Sequence, residues 1–168
     1  IEQCDFSKQF NSASVNTCRI MTLRCPWNGN VVILKSFFRM GIGDSPIDNM
    51  SSGGICVSID SNGMFNDNAY DYKALQPLSQ HPTSNIVFKG LKNPYYKAMC
   101  DVVVSQAKII PQNNIISWDV VVDNKDQVKI IETNLVSQNP DIAQINFGPL
   151  FGEYTEDLID WIVEHKKY

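Results

Sequence analysis

Histidine is scarce in this chain: two residues in 168, His81 and His165. Two are too few for a histidine-based metal cluster, and His165, beside Lys166 and Lys167 at an expected helix end, reads as a structural cation that complements the helix dipole. The five cysteines, Cys4, Cys18, Cys25, Cys56 and Cys100, are odd in number, and no pair has CxxC spacing. Structural zinc and a disulfide framework therefore lack support, and free thiols in a reducing cytoplasm are expected. There is no basic cluster, and the formal net charge is -4, which argues against nucleic acid as the main partner. No apolar run is long enough to cross a bilayer, and no signal-peptide pattern is present. Internal repeats and low-complexity tracts are missing too. The first residue is Ile1 rather than methionine, as expected of a cut piece or a processed product.

What is present suits one compact domain: 168 residues, 43% of them hydrophobic. Residues 1–6 read as a short strand. Residues 17–24 and 30–38 read as two strands around a turn at Pro26–Gly29. The stretch 39–54, RMGIGDSPIDNMSSGG, has little to bury and reads as a long loop of the kind that carries function. Ser61-Asn62-Gly63 signals a hairpin between strands at 55–60 and 64–70. Residues 76–92 lack periodicity. A helix is expected from Asn93 as N-cap and Pro94 as first residue to about 108, with Tyr96, Met99, Cys100, Val103 and Ala107 on one face. Residues 138–153 read as a loop, and a last helix starts at Thr155 with Glu156 and Asp157 in its first turn. Trp118 and Trp161 are expected in the core. The order predicts an α+β fold, mainly antiparallel sheet with flanking helices.

Residues 118–134, WDVVVDNKDQVKIIETN, read as a hairpin with an acid near the outer end of each strand. A two-residue loop at Lys125-Asp126 sets Asp119 directly opposite Glu132, and the alternation of side chains puts Asn134 on the face of Glu132. Like charges opposite each other destabilise a sheet, and the flanking Val120, Val121, Val122, Ile130 and Ile131 would partly desolvate the pair. A divalent cation compensates such a pair, and an all-oxygen donor set selects magnesium or manganese. The same residues are also compatible with acids pointing to water at the sheet edge, or with one acid paired to an arginine. Arg39 equally suits a surface pair with Asp44 or Asp48, Gly53-Gly54 a simple turn, and His81-Pro82 either a ligand contact or an incidental loop position.

An acid followed thirteen residues later by Glu-x-Asn resembles the metal site of the ATP-grasp enzymes, among them D-alanine–D-alanine ligase, glutathione synthetase and the ribosomal-protein glutamate ligases. NTCRIMTLR, VVILKSFFRMG and DNMSSGG, in that order, are similar to the stretch upstream of that site. The fuller likeness is to the ATP-grasp proteins associated with sugar transfer, through SVNTCRIMTL, RMGIGDSPIDNMSSGGI, His81-Pro82, ISWDVVV, IIETN and GPL at 148–150.

The resemblance implies a role for each matching residue. Asp119 would bind one of two Mg²⁺ ions (Mn²⁺ being an alternative), Glu132 would bridge both, and Asn134 would bind the second. Arg19 and Arg39 would supply positive charge to the transferred phosphoryl group. Asn49, Gly53 and Gly54 would approach substrate and phosphate, and Glu2 and Gln3 would form the hinge beside the nucleotide. The chain as a whole would be the C-terminal part of an ATP-grasp domain, residues 1–168, with the subdomain that bears the lysines and glycine-rich loop preceding it. The implied protein is a cytoplasmic ligase of polysaccharide or cell-surface glycan biosynthesis, using ATP, Mg²⁺ and an unknown carboxylate or sugar-linked acceptor. This chain by itself would be inactive. The alternative is a non-catalytic nucleotide-binding or scaffold module. The relatives place an arginine just before the loop asparagine, or two residues before it. This chain has Ile47-Asp48 there, which implies an acceptor held differently or of another kind.

Overall fold

A computed structural model describes residues 1–49, 52–71, 75–136 and 140–165. Seven antiparallel strands form one sheet in the order β5-β4-β3-β2-β1-β6-β7. They are β1 (Thr17–Arg24), β2 (Val31–Met40), β3 (Ile55–Ile59), β4 (Phe65–Asp71), β5 (Pro77–Leu78), β6 (Ile115–Val122) and β7 (Val128–Asn134). The helices are α1 (Asp5–Lys8), α2 (Tyr96–Lys108), α3 (Asp141–Phe147) and α4 (Thr155–His165). This is the expected α+β architecture.

Strand alternation divides the residues between two faces. Cys18 and Ile20, Phe38 and Met40, Ile55 and Val57, and Trp118, Val120 and Val122 join Met99, Val103 and Ala107 of α2 in the main core. Trp118 is 1% exposed, and its indole N–H donates to Thr22 Oγ1 at 2.9 Å, so burial of the ring strands no polar group. The opposite face has a smaller core under α3, built on Met21, Phe37, Cys56 and Ala143. Arg19, Arg39 and Asp119 alternate onto this second face.

Several elements differ from expectation. Residues 1–6 are not a strand: Gln3 makes an isolated bridge to Asp123, and α1 starts at Asp5. The main helix begins at Tyr96 rather than Pro94, because Asn93 Oδ1 accepts the Tyr95 N–H at 2.9 Å and so caps a turn that precedes the helix. Within 138–153, described from 140 on, lies α3, whose Ala143 and Asn146 are buried. Trp161 stays out of the core and stacks on His165, with ring centroids 4.6 Å apart. Lys166 and Lys167 lie outside the described residues.

The 118–134 hairpin shows two departures that cancel. Its loop has three residues, Asn124–Asp126, closed by the Asp123–Gln127 hydrogen bond, with Asp126 at φ 58°. That loop shifts the register by one, so that Val120 faces Ile130. A bulge at Ile131 then restores it, and Asp119 does stand opposite Glu132.

The segment that follows α1 is fixed by a buried polar knot around Asn16, which is fully buried. Asn16 Nδ2 donates to the carbonyls of Ser7 at 2.9 Å and Asn11 at 2.8 Å, while its Oδ1 accepts from the Gly41 N–H at 3.2 Å and the Ser14 hydroxyl at 3.1 Å. His81, also fully buried, meets the Gly41 carbonyl through Nε2 at 2.9 Å, and its Nδ1 takes the Ser84 N–H at 3.2 Å. Burial pushes His81 below its ordinary pKa, against the pull of the Gly41 carbonyl. Asn16→Ala leaves the Gly41 N–H and the Ser14 hydroxyl without this acceptor. The expected loss is about 2–3 kcal/mol, read as a lower urea midpoint at unchanged slope.

Candidate functional site

The site is assembled where β1, β2 and β6 run side by side. Arg19 is the direct cross-strand neighbour of Asp119, and Thr17 that of Arg39. On a shared face, neighbours at this spacing reach one another. Arg19 grips Asp119 with two parallel bonds, Nε to Oδ1 and Nη2 to Oδ2, both at 2.6 Å. Arg39 Nη2 adds a third, 2.9 Å from Oδ2. Asp119 is 2% exposed, and two guanidinium groups compensate its buried charge.

Arg39 is itself held from several sides. Its Nε donates to Thr17 Oγ1 at 2.8 Å, and Nη1 reaches Asn49 Oδ1 at 3.3 Å. Asp48 Oδ2 lies 3.5 Å from Nε and accepts from both the N–H and the hydroxyl of Thr17. The sequence offered Asp44 or Asp48 as a surface partner for Arg39. The partner is Asp48, and the pair is buried. Burial pushes the Asp48 carboxyl above its usual range, while Arg39 and Thr17 pull the other way.

The loop glycines have different duties. Gly53 has φ +99° and open space where a Cβ would lie, so the left-handed conformation selects glycine there. At Gly54 a Cβ would fall 2.3 Å from the Asp48 carbonyl oxygen. Gly54 thus makes room for the Asp48 peptide.

Glu132 is exposed and makes no ion pair with any described residue, though its charge reaches Arg19. Asn134, opposite Ser117, is half-buried on the Glu132 side of β7. Thr17, Arg39, Asp48, Asn49, Asp119 and Glu132 together line a cavity of about 220 Å³.

A family model described as sugar-transfer associated ATP-grasp matches residues 1–156. The chain belongs to that family. No curated protein and no solved structure matches it.

ATP-grasp membership makes the oxygen donors worth testing against Mg²⁺. A carboxylate has about four acceptor positions. The two arginines fill three on Asp119, which leaves room for a single metal bond through Oδ1. Glu132 has both oxygens to give, and Asn134 contributes an amide. Among the described residues no three His, Cys, Asp or Glu side chains gather into a ready cage. Two carboxylates and an amide nonetheless fit Mg²⁺, which commonly takes only one or two carboxylates and completes its shell with water and phosphate oxygens. The arginines also retain donors for phosphate: Arg39 uses three of its five N–H groups and Arg19 two.

Of the two residues expected at a nucleotide hinge, Glu2 pairs with Lys8 at 2.9 Å and accepts from Asn124 at 2.6 Å. Gln3 is buried. Its amide donates to the carbonyls of Asn11 and Ser14, and its Oε1 accepts from Asn16 twice. Its side chain is thereby committed to the loop at 11–16, so any approach to a nucleotide would be through its main chain. The knot around Asn16 and His81 carried no signal in the sequence beyond the His-Pro pair. Most of its partners are main-chain carbonyls and N–H groups, which carry no residue signature.

Proposed function

We propose that the full-length protein is an ATP- and Mg²⁺-dependent ligase-type enzyme of glycan biosynthesis, which activates a carboxylate as an acyl phosphate and passes it to a nucleophile. The observation that carries this reading is the convergence of Arg19, Arg39, Asp119 and Glu132 on one face of four adjacent strands, β2, β1, β6 and β7, in an ATP-grasp chain. Phosphoryl transfer asks little covalent help of a protein; alignment and charge neutralisation do most of the work.

In this reading Asp119, Glu132 and Asn134 hold the metal. When bound, Mg²⁺ neutralises charge on the phosphate oxygens. Arg19 and Arg39, braced by Asp119, offer their remaining N–H groups to the transferred group at fixed positions, so little reorganisation is required. Asn49, Gly53 and Gly54 shape the loop that carries Asp48 beside them. Full-length protein with its acceptor is expected to convert ATP to ADP with Mg²⁺, to lose that turnover on chelation with EDTA, and to regain it on adding Mg²⁺ or Mn²⁺. Nucleotide binding that never yields ADP would instead assign a non-catalytic nucleotide-binding or scaffold module. That second reading draws on the extent to which acids already neutralise both arginines.

A further inference from the structure

Thr17 is buried at the start of β1, directly across from Arg39 of β2. Its hydroxyl has one hydrogen to give and two lone pairs. Asp48, as a carboxylate, can only accept, so the hydrogen goes to Asp48 Oδ2. The hydroxyl oxygen is left to take the Arg39 Nε–H at 2.8 Å. The chain of bonds therefore has one direction, from guanidinium through hydroxyl to carboxylate. The Thr17 N–H anchors the same Oδ2 at 3.1 Å.

This chain decides where the rest of Arg39 points. The guanidinium is a planar fork, and Nε joins it to a flexible stem. Thr17 holds Nε, Asn49 holds Nη1 and Asp119 holds Nη2. One N–H on Nη1 and one on Nη2 stay free to meet an anion. Nε has a single hydrogen, already given to Thr17, so that bond serves orientation alone.

We infer that Thr17 is a positioning residue for phosphoryl transfer: its hydroxyl, anchored on Asp48, sets the plane of the Arg39 guanidinium so that the two free N–H groups meet the transferred group without rearrangement. The inference rests on the ligase reading above and adds to it a residue that acts through Arg39.

Two substitutions separate positioning from strand stability. Thr17→Val keeps the branched shape and removes the hydroxyl, whereas Thr17→Ser keeps the hydroxyl and removes a methyl group. Valine suits a strand better than serine, so a role confined to the strand would favour Thr17→Val. Positioning predicts the reverse order. ADP release by the full-length protein is measured where urea denaturation shows each variant to be folded. Thr17→Val is expected to lower kcat about 10–100-fold and to leave KM for ATP within about twofold, while Thr17→Ser keeps both within about threefold of the parent. The NMR signal of the Arg39 Nε–H, assigned by its loss in Arg39→Lys, supplies a readout without nucleotide. Its exchange with water should be slow in the parent and in Thr17→Ser, and about tenfold faster or more in Thr17→Val. Should Thr17→Val fail to fold, Thr17→Cys, whose thiol is a weak donor and acceptor, is expected to show both effects, with a loss of about threefold or more in kcat. A folded Thr17→Val with the parent's kcat, an equal loss in Thr17→Ser, or an Arg39 Nε–H equally protected with and without the hydroxyl would overturn the assignment. A parent that makes no ADP fails the ligase reading instead, and the Arg39 signal still decides whether Thr17 holds the guanidinium.

Discussion

Asp119→Ala is expected to cost about 3–5 kcal/mol of folding stability, the range for breaking a buried ion pair by removing one partner. The side chain is 2% exposed and takes three charge-assisted hydrogen bonds from two arginines. Without it, Arg39, 6% exposed, keeps only Asp48 to offset its charge, and Arg19 loses both of its bonds. Asp119→Asn, which keeps one carbonyl oxygen, should lose less. Because the cluster is shielded from solvent, the loss should change little between low and high salt. Asp101→Ala supplies the contrast: it removes only the exposed Lys97–Asp101 pair, and its effect should stay within about 0.5 kcal/mol. Urea denaturation of the three variants measures all of this. An Asp119→Ala variant within 1 kcal/mol of the parent, on the scale of ordinary surface substitutions, would show that the arginines do not depend on that carboxylate.

The hairpin shows why part of the site was legible in the sequence. Glu132 and Asn134 are two apart, so the pleat alone places them on one face. The Asp119–Glu132 pairing required a register, and the pairing holds although the two-residue loop expected to set it does not form. No glycine marks the turn. The loop is organised by Asp123 Oδ1, which accepts from both Lys125 and Gln127 N–H groups at 2.9 Å, and the bulge at Ile131 has no residue signature in an apolar run. The antiparallel sheet and α2 were legible because periodicity extends over 7–13 residues in most of these elements. The seven residues of α3 lie between proline and glycine and were too short to show. What remained hidden were the interactions between distant segments. Asp119 meets Arg19 across 100 positions and Arg39 across 80, and the sequence proposed these residues as neighbours of phosphate and metal without showing that they hold one another. The consequence is practical: Asp119 has a structural duty that its spacing does not reveal, so loss of activity on changing it reports on two roles at once.

Glu132→Gln separates them. Glu132 stands opposite Asp119 in the sheet, yet it is exposed and makes no ion pair with any described residue, so its charge stabilises the fold little. The substitution keeps shape and one carbonyl oxygen while removing the negative charge that would bridge the metal ions. Stability is expected to stay within about 0.5 kcal/mol of the parent, as for surface changes generally. Turnover of ATP by the full-length protein should fall about 10²–10³-fold, the size of losing one contact that stabilises the transition state. Raising the Mg²⁺ concentration should recover part of the loss if Glu132 acts through metal affinity, and none if it acts only after the metal is bound. Steady-state ADP release across a Mg²⁺ series, alongside urea denaturation, reads both quantities. Full activity in a folded Glu132→Gln protein would remove this carboxylate from the metal site, and with it the reason to read the Asp119 end of the cavity as the place where phosphate is transferred.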